Sequence, residues 1–487
     1  MILLDVENQQ KSDTQVAGST IRLPEPSVAG RSTSSSLPDY ESSQAQYAAP
    51  LFKLPRKRVD NRFWKATLLA LAIYVALSVI IGVPMVVFKA VKPHIHGPPI
   101  PWPREEFTSS QNLKSLTTLA KNEFASCDVW HSTQDTDFFT ATAHRIFSPS
   151  GSFAIHSDNG VASDKMSGFL GQLIVDINDD PSVTSAIIYV SLNSSNAEQR
   201  ARTHFCFVDQ GSSRGLYILV PNNISPTESL SLTIRLLFPA SSSLLTIDNI
   251  VTRLPMFTQS LGGLGNKIFI RKMDIEGAGM NIFCNIVSAQ KAILKNSLAS
   301  ISGTFNISEG LSIDTVSGPV LANITLVQGP GSKAPTYFSI ETGNSMIDAQ
   351  VILKAPHAGF VGHPTTFLGS IKAFSSPLSV NILHEDSTPS VPIDLFVQNN
   401  QATTNITIDS KFIGKFDART KLASVTLDEG SKSMVGSRTR QFIFDNKSLS
   451  RKSGWVGVTK PTRWNPTEHG RLLIESSLSP ILLGIGS

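Results

Sequence analysis

The stretch that decides the fold is IDTVSGPVLANI, residues 313–324. It begins and ends on apolar residues, and a Ser-Gly-Pro turn divides it. LKNSLASISGTF begins nineteen residues earlier at Leu294, and IEGAGMNIFCNI begins nineteen residues before that at Ile275. Further copies begin at Ile340, Ile371 and Ile474, and a looser one begins at Ile408.

The copies share apolar residues at their first, eighth and twelfth positions, with a turn of Gly, Ser, Asn or Pro residues between the first two. One copy cannot bury its own apolar face, so stacked copies would have to share a core. The repeat therefore predicts a β-solenoid over residues 264–487, with an antiparallel meander of similar hairpins as the alternative. Cys284 occupies the tenth position, on the apolar face, which predicts a buried reduced thiol.

Residues 124–256 contain short strands rich in β-branched and aromatic residues, separated by turn clusters such as NDDPS and PNNISPTE. That pattern is typical of an antiparallel sandwich-like unit. Cys127 and Cys206 both lie in it, and we expect them to form a disulfide. A pair of buried free thiols is the alternative.

The N-terminal part has a different character. Residues 1–62 are rich in Ser, Gln, Pro and Thr, which predicts a disordered tail. Residues 66–88 contain no charge and are long enough to predict one transmembrane helix. More Lys and Arg precede this segment than follow it, which predicts a cytosolic N-terminus and a single-pass, signal-anchor topology. Residues 89–123 would form a Pro-rich stalk and a short helix.

The C-terminal part would then lie outside the cell or in the lumen of the secretory pathway, on the plasma membrane or an internal membrane. Six N-x-S/T sequons follow the apolar segment and are candidates for glycosylation: Asn193, Asn223, Asn306, Asn323, Asn405 and Asn446. In the tail, Leu37, Pro38 and Tyr40 have the L-P-x-Y form that a WW domain of a ubiquitin ligase can bind.

Motifs for chemistry are weak. The net charge of +4 comes with no basic stripe interleaved with aromatics, which argues against nucleic acid. The chain has no G-x-S-x-G, H-E-x-x-H, Walker or C-x-x-C motif. We expect no catalytic residue, cofactor or metal, and we interpret His384 as part of a solvated turn. The second repeat position carries both signs of charge, which indicates a solvated edge rather than the paired acids of a glycosidase.

The signatures IDTVSG and LASISGTF resemble the putative-adhesin domain, a repetitive all-β family. The layout of tail, apolar segment and repeats also resembles a group of uncharacterised fungal, basidiomycete-type, single-pass membrane proteins. The resemblance covers about residues 60–487 through degenerate motifs, and it supplies no catalytic residue. It implies binding rather than catalysis.

These observations predict an all-β ectodomain tethered by one transmembrane helix, in a non-enzymatic glycoprotein that contacts a glycan or protein ligand at a surface or cell wall. A membrane-tethered β-helix enzyme acting on carbohydrate is the alternative. A secretory-pathway trafficking or sorting protein acting through its cytosolic tail is a further one.

Overall fold

Alternation between buried and exposed side chains builds the strands. In VLANITLV, Val320–Val327, the four residues Val320, Ala322, Ile324 and Leu326 are buried, and the residues between them face outward. Side chains of a strand point alternately to its two faces, and β-branched residues favour the extended backbone. The segment therefore forms a strand with one face in the core and one in solvent.

The structure is a computed structural model that describes residues 127, 130–134, 139–159, 168–210, 213–221, 224, 228–329, 334–355, 366–430, 434–435, 438–465 and 468–486. All of them belong to one compact unit, Trp102–Ser487.

The described residues form strands almost throughout. The single described helix, α1 (Ala197–Arg202), begins after Asn196, whose side chain accepts a hydrogen bond from the backbone amide of Glu198. In chain order the strands are β1 (His131–Gln134), β2 (Phe139–Phe147), β3 (Ser152–Asn159), β4 (Phe169–Ile177), β5 (Ala186–Ser194), β6 (His204–Gln210), β7 (Ser213–Val220), β8 (Leu230–Phe238), β9 (Leu245–Arg253), β10 (Phe257–Gly263), β11 (Ile268–Glu276), β12 (Ile282–Asn296), β13 (Ile301–Thr315), β14 (Val320–Val327), β15 (Thr336–Thr342), β16 (Ile347–Lys354), β17 (Phe367–Ala373), β18 (Leu378–His384), β19 (Ile393–Asn399), β20 (Thr404–Ile408), β21 (Gly414–Thr420), β22 (Val425–Asp428), β23 (Met434–Val435), β24 (Arg438–Thr439), β25 (Gln441–Lys447), β26 (Arg451–Gly457), β27 (Gly470–Ser476) and β28 (Ile481–Ile485).

Two stacks of mostly parallel strands face each other across one core. Sheet 1 runs β6-β7-β3-β9-β11-β12-β13-β15-β17-β19-β27-β21-β26-β25, and sheet 2 runs β1-β2-β5-β8-β4-β10-β12-β13-β14-β16-β18-β20-β28-β22. Strands β12 and β13 are long, and each passes through both sheets. One strand of sheet 1, a tight corner and the next strand of sheet 2 together make one level of the stack.

The repeat alignment is confirmed by the strand register. The first position aligns Ile275, Leu294, Ile313, Ile340 and Ile371 along sheet 1. The eighth position aligns in the same way along sheet 2, through Ile282, Ile301, Val320, Ile347 and Leu378. The pairing is parallel, so these levels are not an antiparallel meander.

The structure contains levels that the sequence pattern did not reveal, and it shows that one expected copy of the repeat was misplaced. Val397 and Thr404 hold the first and eighth positions of a level between the copies at Ile371 and Ile474. Ile408 pairs with Ile382, the twelfth position of its copy, so Ile408 closes this level rather than beginning another one. The looser copy expected at Ile408 was therefore wrong.

At both ends of the stack the spatial order departs from chain order. The level made by β3 and β4 lies between the β7/β8 level and the β9/β10 level. The level made by β27 and β28 lies between the β19/β20 level and the β21/β22 level. The last described strand therefore has a hydrogen-bonded neighbour on each side, which protects it from fraying.

The expected antiparallel sandwich at residues 124–256 was wrong. Antiparallel pairing there is limited to β1-β2-β5-β8 and β6-β7. Strands β3 and β4 pair in parallel with both neighbours, and they continue into the solenoid levels through β9 and β10. Alternation reports which face of a strand is buried and carries no information on the direction of its partner, so the pattern could not separate the two architectures.

The expected fold class included one transmembrane helix, and it is corrected to all-β in this respect as well. None of the helices in the described part of the chain is long and apolar enough to cross a membrane. The tail, the apolar segment 66–88 and the stalk with its helix, 89–123, all lie outside the described residues.

The inserted last level should be essential to the fold. Ile481 is fully buried, and its neighbour Leu482 points outward from the same strand. Ile481→Asp places a carboxylate in the core, so we expect it to lower the free energy of unfolding by about 4 kcal/mol or to prevent folding. Leu482→Asp is the matched control and should change that free energy by about 0.5 kcal/mol or less. Thermal unfolding of both variants measures the difference, and equal melting temperatures would contradict the inserted level.

The sulfhydryl of Cys284 should resist labelling in the native protein. The side chain is fully buried, and burial raises the pKa of its thiol to about 12, so the reactive thiolate is scarce at neutral pH. We expect no reaction with a thiol reagent until the chain is denatured. The denatured, non-reduced chain should then react at one thiol, and the reduced chain at all three cysteines. Rapid labelling of the native protein would mean that this strand face is not in the core.

Candidate interaction surface

Buried polar side chains hold the corner between sheet 1 and sheet 2. The third repeat position is occupied at most levels by Asn, Thr or Ser, and these side chains bond the carbonyls of the corner. Thr315 Oγ1 donates to the Gly318 carbonyl at 2.7 Å. Asn399 Nδ2 donates to the Ala402 carbonyl at 2.9 Å. The same column contains Asn296, Thr342, Ser476 and Thr420. The carbonyl groups of a tight turn next to the core thereby have hydrogen-bond donors without water.

The corners also bond to one another from level to level. The Leu298 amide donates to the Ala278 carbonyl at 2.7 Å, the Phe374 amide to the Gly343 carbonyl at 3.1 Å, and the Leu422 amide to the Ser477 carbonyl at 3.2 Å. The ladder of the two sheets therefore continues through the turns that connect them. Equivalent side chains at successive corners are held about 4.8 Å apart.

Apolar side chains project from these corners into solvent. They form what we call the corner ridge, which includes Leu449 from the adjacent β25–β26 hairpin turn. Its members are between 43% and 77% exposed: Leu298, Val316, Met346, Phe374, Leu478, Leu422 and Leu449. The ridge is roughly 30 Å long at the spacing of the strands. It is interrupted at one level, where Asn400 and Gln401 form the corner. Single exposed apolar residues are ordinary, but a row along one edge is typical of an interaction surface.

Charged side chains beside the ridge are engaged with each other. The second repeat position forms a column on the outer face of sheet 1. There Arg253 pairs with Glu276, Lys372 Nζ lies 2.6 Å from Glu341 Oε1, and Arg419 pairs with Glu475. The carboxylates at these levels are therefore bonded to bases of neighbouring levels. The mixed signs seen in the sequence reflect ion pairs between levels.

Four of the five sequons in the described residues lie on the outward side of sheet 2. Asn193, Asn323 and Asn405 are exposed there. Asn306 is half-buried, and its Nδ2 donates to Ser288 Oγ at 3.4 Å. Asn446 is exposed on β25, which ends sheet 1, next to a bulge in its pairing with β26. Asn223 lies outside the described residues.

His384 belongs to a buried polar cluster, so the expected solvated turn was wrong for this residue. Its Nδ1 lies 2.8 Å from Asp409 Oδ1, and its Nε2 lies 3.3 Å from the Val391 carbonyl oxygen. Burial acts to raise the pKa of Asp409, but hydrogen bonds from His384 and the Lys411 amide outweigh it and leave that pKa lowered. The Lys411 ammonium donates to three carbonyls of the adjacent loop, those of Glu385, Asp386 and Thr388. The cluster fixes the corner at which sheet 2 returns to sheet 1.

The remaining candidate residues fall in two places. Cys127 and Cys206 are joined in a disulfide beside Tyr217 at the first end of the stack. Leu37, Pro38 and Tyr40 lie outside the described residues. Within the residues that the structure describes, no group of three or more His, Cys, Asp or Glu side chains could hold a metal ion.

Sequence reasoning missed the corner ridge, although a signal was present. The turns were interpreted through their Gly, Ser, Asn and Pro residues, which reverse the chain. Leu298 in LKNSLAS and Phe374 in IKAFSSP stand within those turns. Apolar residues that recur inside aligned turns indicate an exposed row once the register is known.

No protein-family model and no curated protein matches the chain. Solved structures with some similarity include a putative cell adhesion protein from Clostridium sporogenes, with 7% identity over 71% of this chain and 99% of that one, at a TM-score of 0.15. A putative adhesin from Parabacteroides distasonis is 11% identical over 55% of this chain and 96% of that one, at a TM-score of 0.30. A third, from Bacteroides fragilis, is 9% identical over 70% and 96%, at a TM-score of 0.23. At these identities and TM-scores the similarity does not indicate what this chain binds.

Glycosylation should follow the exposure of the sequons. In a eukaryotic secretory host we expect glycans on Asn193, Asn323, Asn405 and Asn446, whose side chains project into solvent. Asn306 should be occupied less, because it is half-buried and bonded to Ser288. Release of the glycans by a peptide N-glycosidase in heavy-oxygen water converts each occupied Asn to labelled Asp, so peptide mass spectrometry measures the occupancy of each site. Full occupancy at Asn306 with none at Asn323 would contradict the assigned faces.

Proposed function

We propose that the chain is a non-enzymatic, adhesin-like interaction module, which contacts a partner surface through the corner ridge. The ridge is the observation that carries the proposal. It places apolar side chains of successive levels along one edge of the stack, on corners that are hydrogen-bonded from level to level. Such a row is rigid before binding, so a contact with it costs little ordering entropy.

The packed interior supports binding at the outer surface. Large apolar side chains from both sheets fill the space between them along the stack, from Phe153 to Ile485. A ligand would therefore meet the outer faces and the corners. The carboxylates of the second repeat position are held in ion pairs with Arg or Lys side chains of neighbouring levels, which supports a binding role over acid–base catalysis.

We propose that the chain binds its partner in an oxidising compartment, either extracellular or lumenal. The Cys127–Cys206 disulfide supports the proposal, because such bonds persist outside the reducing cytosol. The outward sequons of sheet 2 agree with the same side of the membrane system. A glycan or a protein on an apposed surface would be the natural partner.

Adhesion of beads coated with the full chain tests the ridge. We expect wild-type beads to be retained on cell layers and on a phenyl-terminated monolayer under flow. The double variant Leu298→Asp/Phe374→Asp should reduce retention about tenfold, because charges replace an apolar contact of more than one kcal/mol. Leu244→Asp is the matched control: Leu244 is 60% exposed, but it lies where β8 turns into β9, at the opposite corner.

Two results would overturn the proposal. The first is equal retention of the wild-type and ridge-variant beads, with both proteins shown to be folded by their melting temperatures. The second is release of products when the chain is incubated with a glycan panel, because turnover would make it an enzyme.

A further inference from the structure

A second surface feature lies at the far end of the stack, on the outer face of sheet 1. Trp464 stands in the segment that leads from β26 into β27, and 37% of its surface is exposed. More than a third of this large apolar side chain is therefore open to solvent and accessible to a ligand. Its position is held by Arg471, whose guanidinium carbon lies 5.6 Å from the centre of the indole ring.

Arg471 is itself fixed by a neighbouring strand. Its Nε donates to Asp394 Oδ1 at 3.0 Å and its Nη2 to Asp394 Oδ2 at 2.7 Å, a bidentate pair. The two residues are register partners on β27 and β19, so the backbone sets their separation. Both side chains are mostly buried, at 22% and 14% exposed, and their planar groups are therefore oriented before any ligand arrives.

The floor beside this pair is apolar. Phe396 and Leu473 are the next outward-facing residues on the same two strands, and they are register partners in turn. Both are half-buried in the face of the sheet. The patch thus combines an open indole, a flat apolar floor and a planar polar edge.

We propose that Trp464, Arg471 and Asp394 form a binding subsite for a neutral saccharide. The indole face carries partial negative charge and attracts the C–H groups on one side of a pyranose ring. The ion pair still has donors on Nη1 and acceptor lone pairs on both carboxylate oxygens, which match the hydroxyls of a sugar. Phe396 and Leu473 extend the apolar contact beneath a second ring.

The charges of the pair select a neutral ligand. An anion drawn to Arg471 would meet the carboxylate of Asp394, and a cation drawn to Asp394 would meet the guanidinium. A hydroxyl both donates and accepts, so it can bond either member without leaving a charge unpaired. Since Asp394 and Arg471 neutralise each other, the pair itself does not favour a strongly charged polymer. Lys415, the register partner of Arg471 on β21, adds one positive charge beside the pair, and the test below therefore includes an anionic comparator.

This subsite goes beyond the proposed function, because it is separate from the corner ridge and names a ligand class. The saccharide subsite and the corner ridge can therefore be disproved independently of each other. Ridge variants should keep saccharide binding, and Trp464 variants should keep bead adhesion to the phenyl monolayer.

Calorimetric titration of the full chain in mild detergent tests the subsite. The probes are three neutral hexasaccharides, of β-1,3-linked glucose, β-1,4-linked glucose and β-1,4-linked N-acetylglucosamine, with a polygalacturonate hexamer as the anionic comparator. We expect at least one neutral probe to bind and to be preferred over the comparator. Trp464→Ala should weaken that binding about tenfold, and Trp464→Tyr, which keeps an aromatic face, about threefold.

Tyr189→Ala is the matched control, because Tyr189 is a similarly exposed aromatic residue, at 39%, but lies on β5. Its ring packs at a tilt against His144, with ring centres 5.6 Å apart. The control variant should bind as the wild type does. Asp394→Asn should weaken binding as well, and its melting temperature reports whether the chain is still folded. The proposal is overturned if no neutral probe binds, if polygalacturonate binds best, or if Tyr189→Ala loses as much affinity as Trp464→Ala.

Discussion

The hydrogen-bonded corner between the two sheets is the constraint on which the rest of this structure depends. Parallel neighbours within one sheet are connected through a strand of the opposite sheet, and the chain passes from sheet 1 to sheet 2 in a tight turn. A turn so short would leave carbonyl groups unpaired beside the core. Side chains such as Thr315 and Asn399 bond those carbonyls from inside, and corner amides bond the level below. These hydrogen bonds fix the distance between successive levels, and therefore the distance between equivalent side chains in every column of the stack.

The sequence predicted the stacked register at the levels from Ile275 to Ile371, which keep Ile or Leu at the first position and Ile, Leu or Val at the eighth. It did not reveal the level of Ala418 and Val425, where the first position holds a small residue. It also failed where polar residues took those positions. Thr404 is the eighth residue of its level and is fully buried, and so is Gln259, which corresponds to it on β10. Gln259 is accommodated because Thr252 donates to its side-chain oxygen at 2.5 Å and its own amide donates to the Glu276 carbonyl at 2.9 Å. A pattern based on hydrophobicity cannot foresee a polar core residue whose hydrogen-bond partners lie on other strands.

The first end of the stack shows a second reason for failure. The level of β3 and β4 follows the same architecture, but the segment between its two strands is longer than a corner and lies partly outside the described residues. Its insertion between later strands also separates spatial neighbours by many residues. Local patterns report burial, whereas partner choice depends on contacts between distant segments. The sandwich expectation failed on partner direction while its strands were largely present.

The division between inside and outside explains why function is hard to infer from the repeat. Inward columns must all solve one packing problem, and they converge on Ile, Val, Leu and Phe. Outward columns do not have to fill the core, so each can carry different side chains. Sheet 1 carries ion pairs, sheet 2 carries sequons, and the corner carries apolar side chains. The repeat signature therefore reports the fold, and the departures from it, such as Phe374 within a turn, report what the surface can contact.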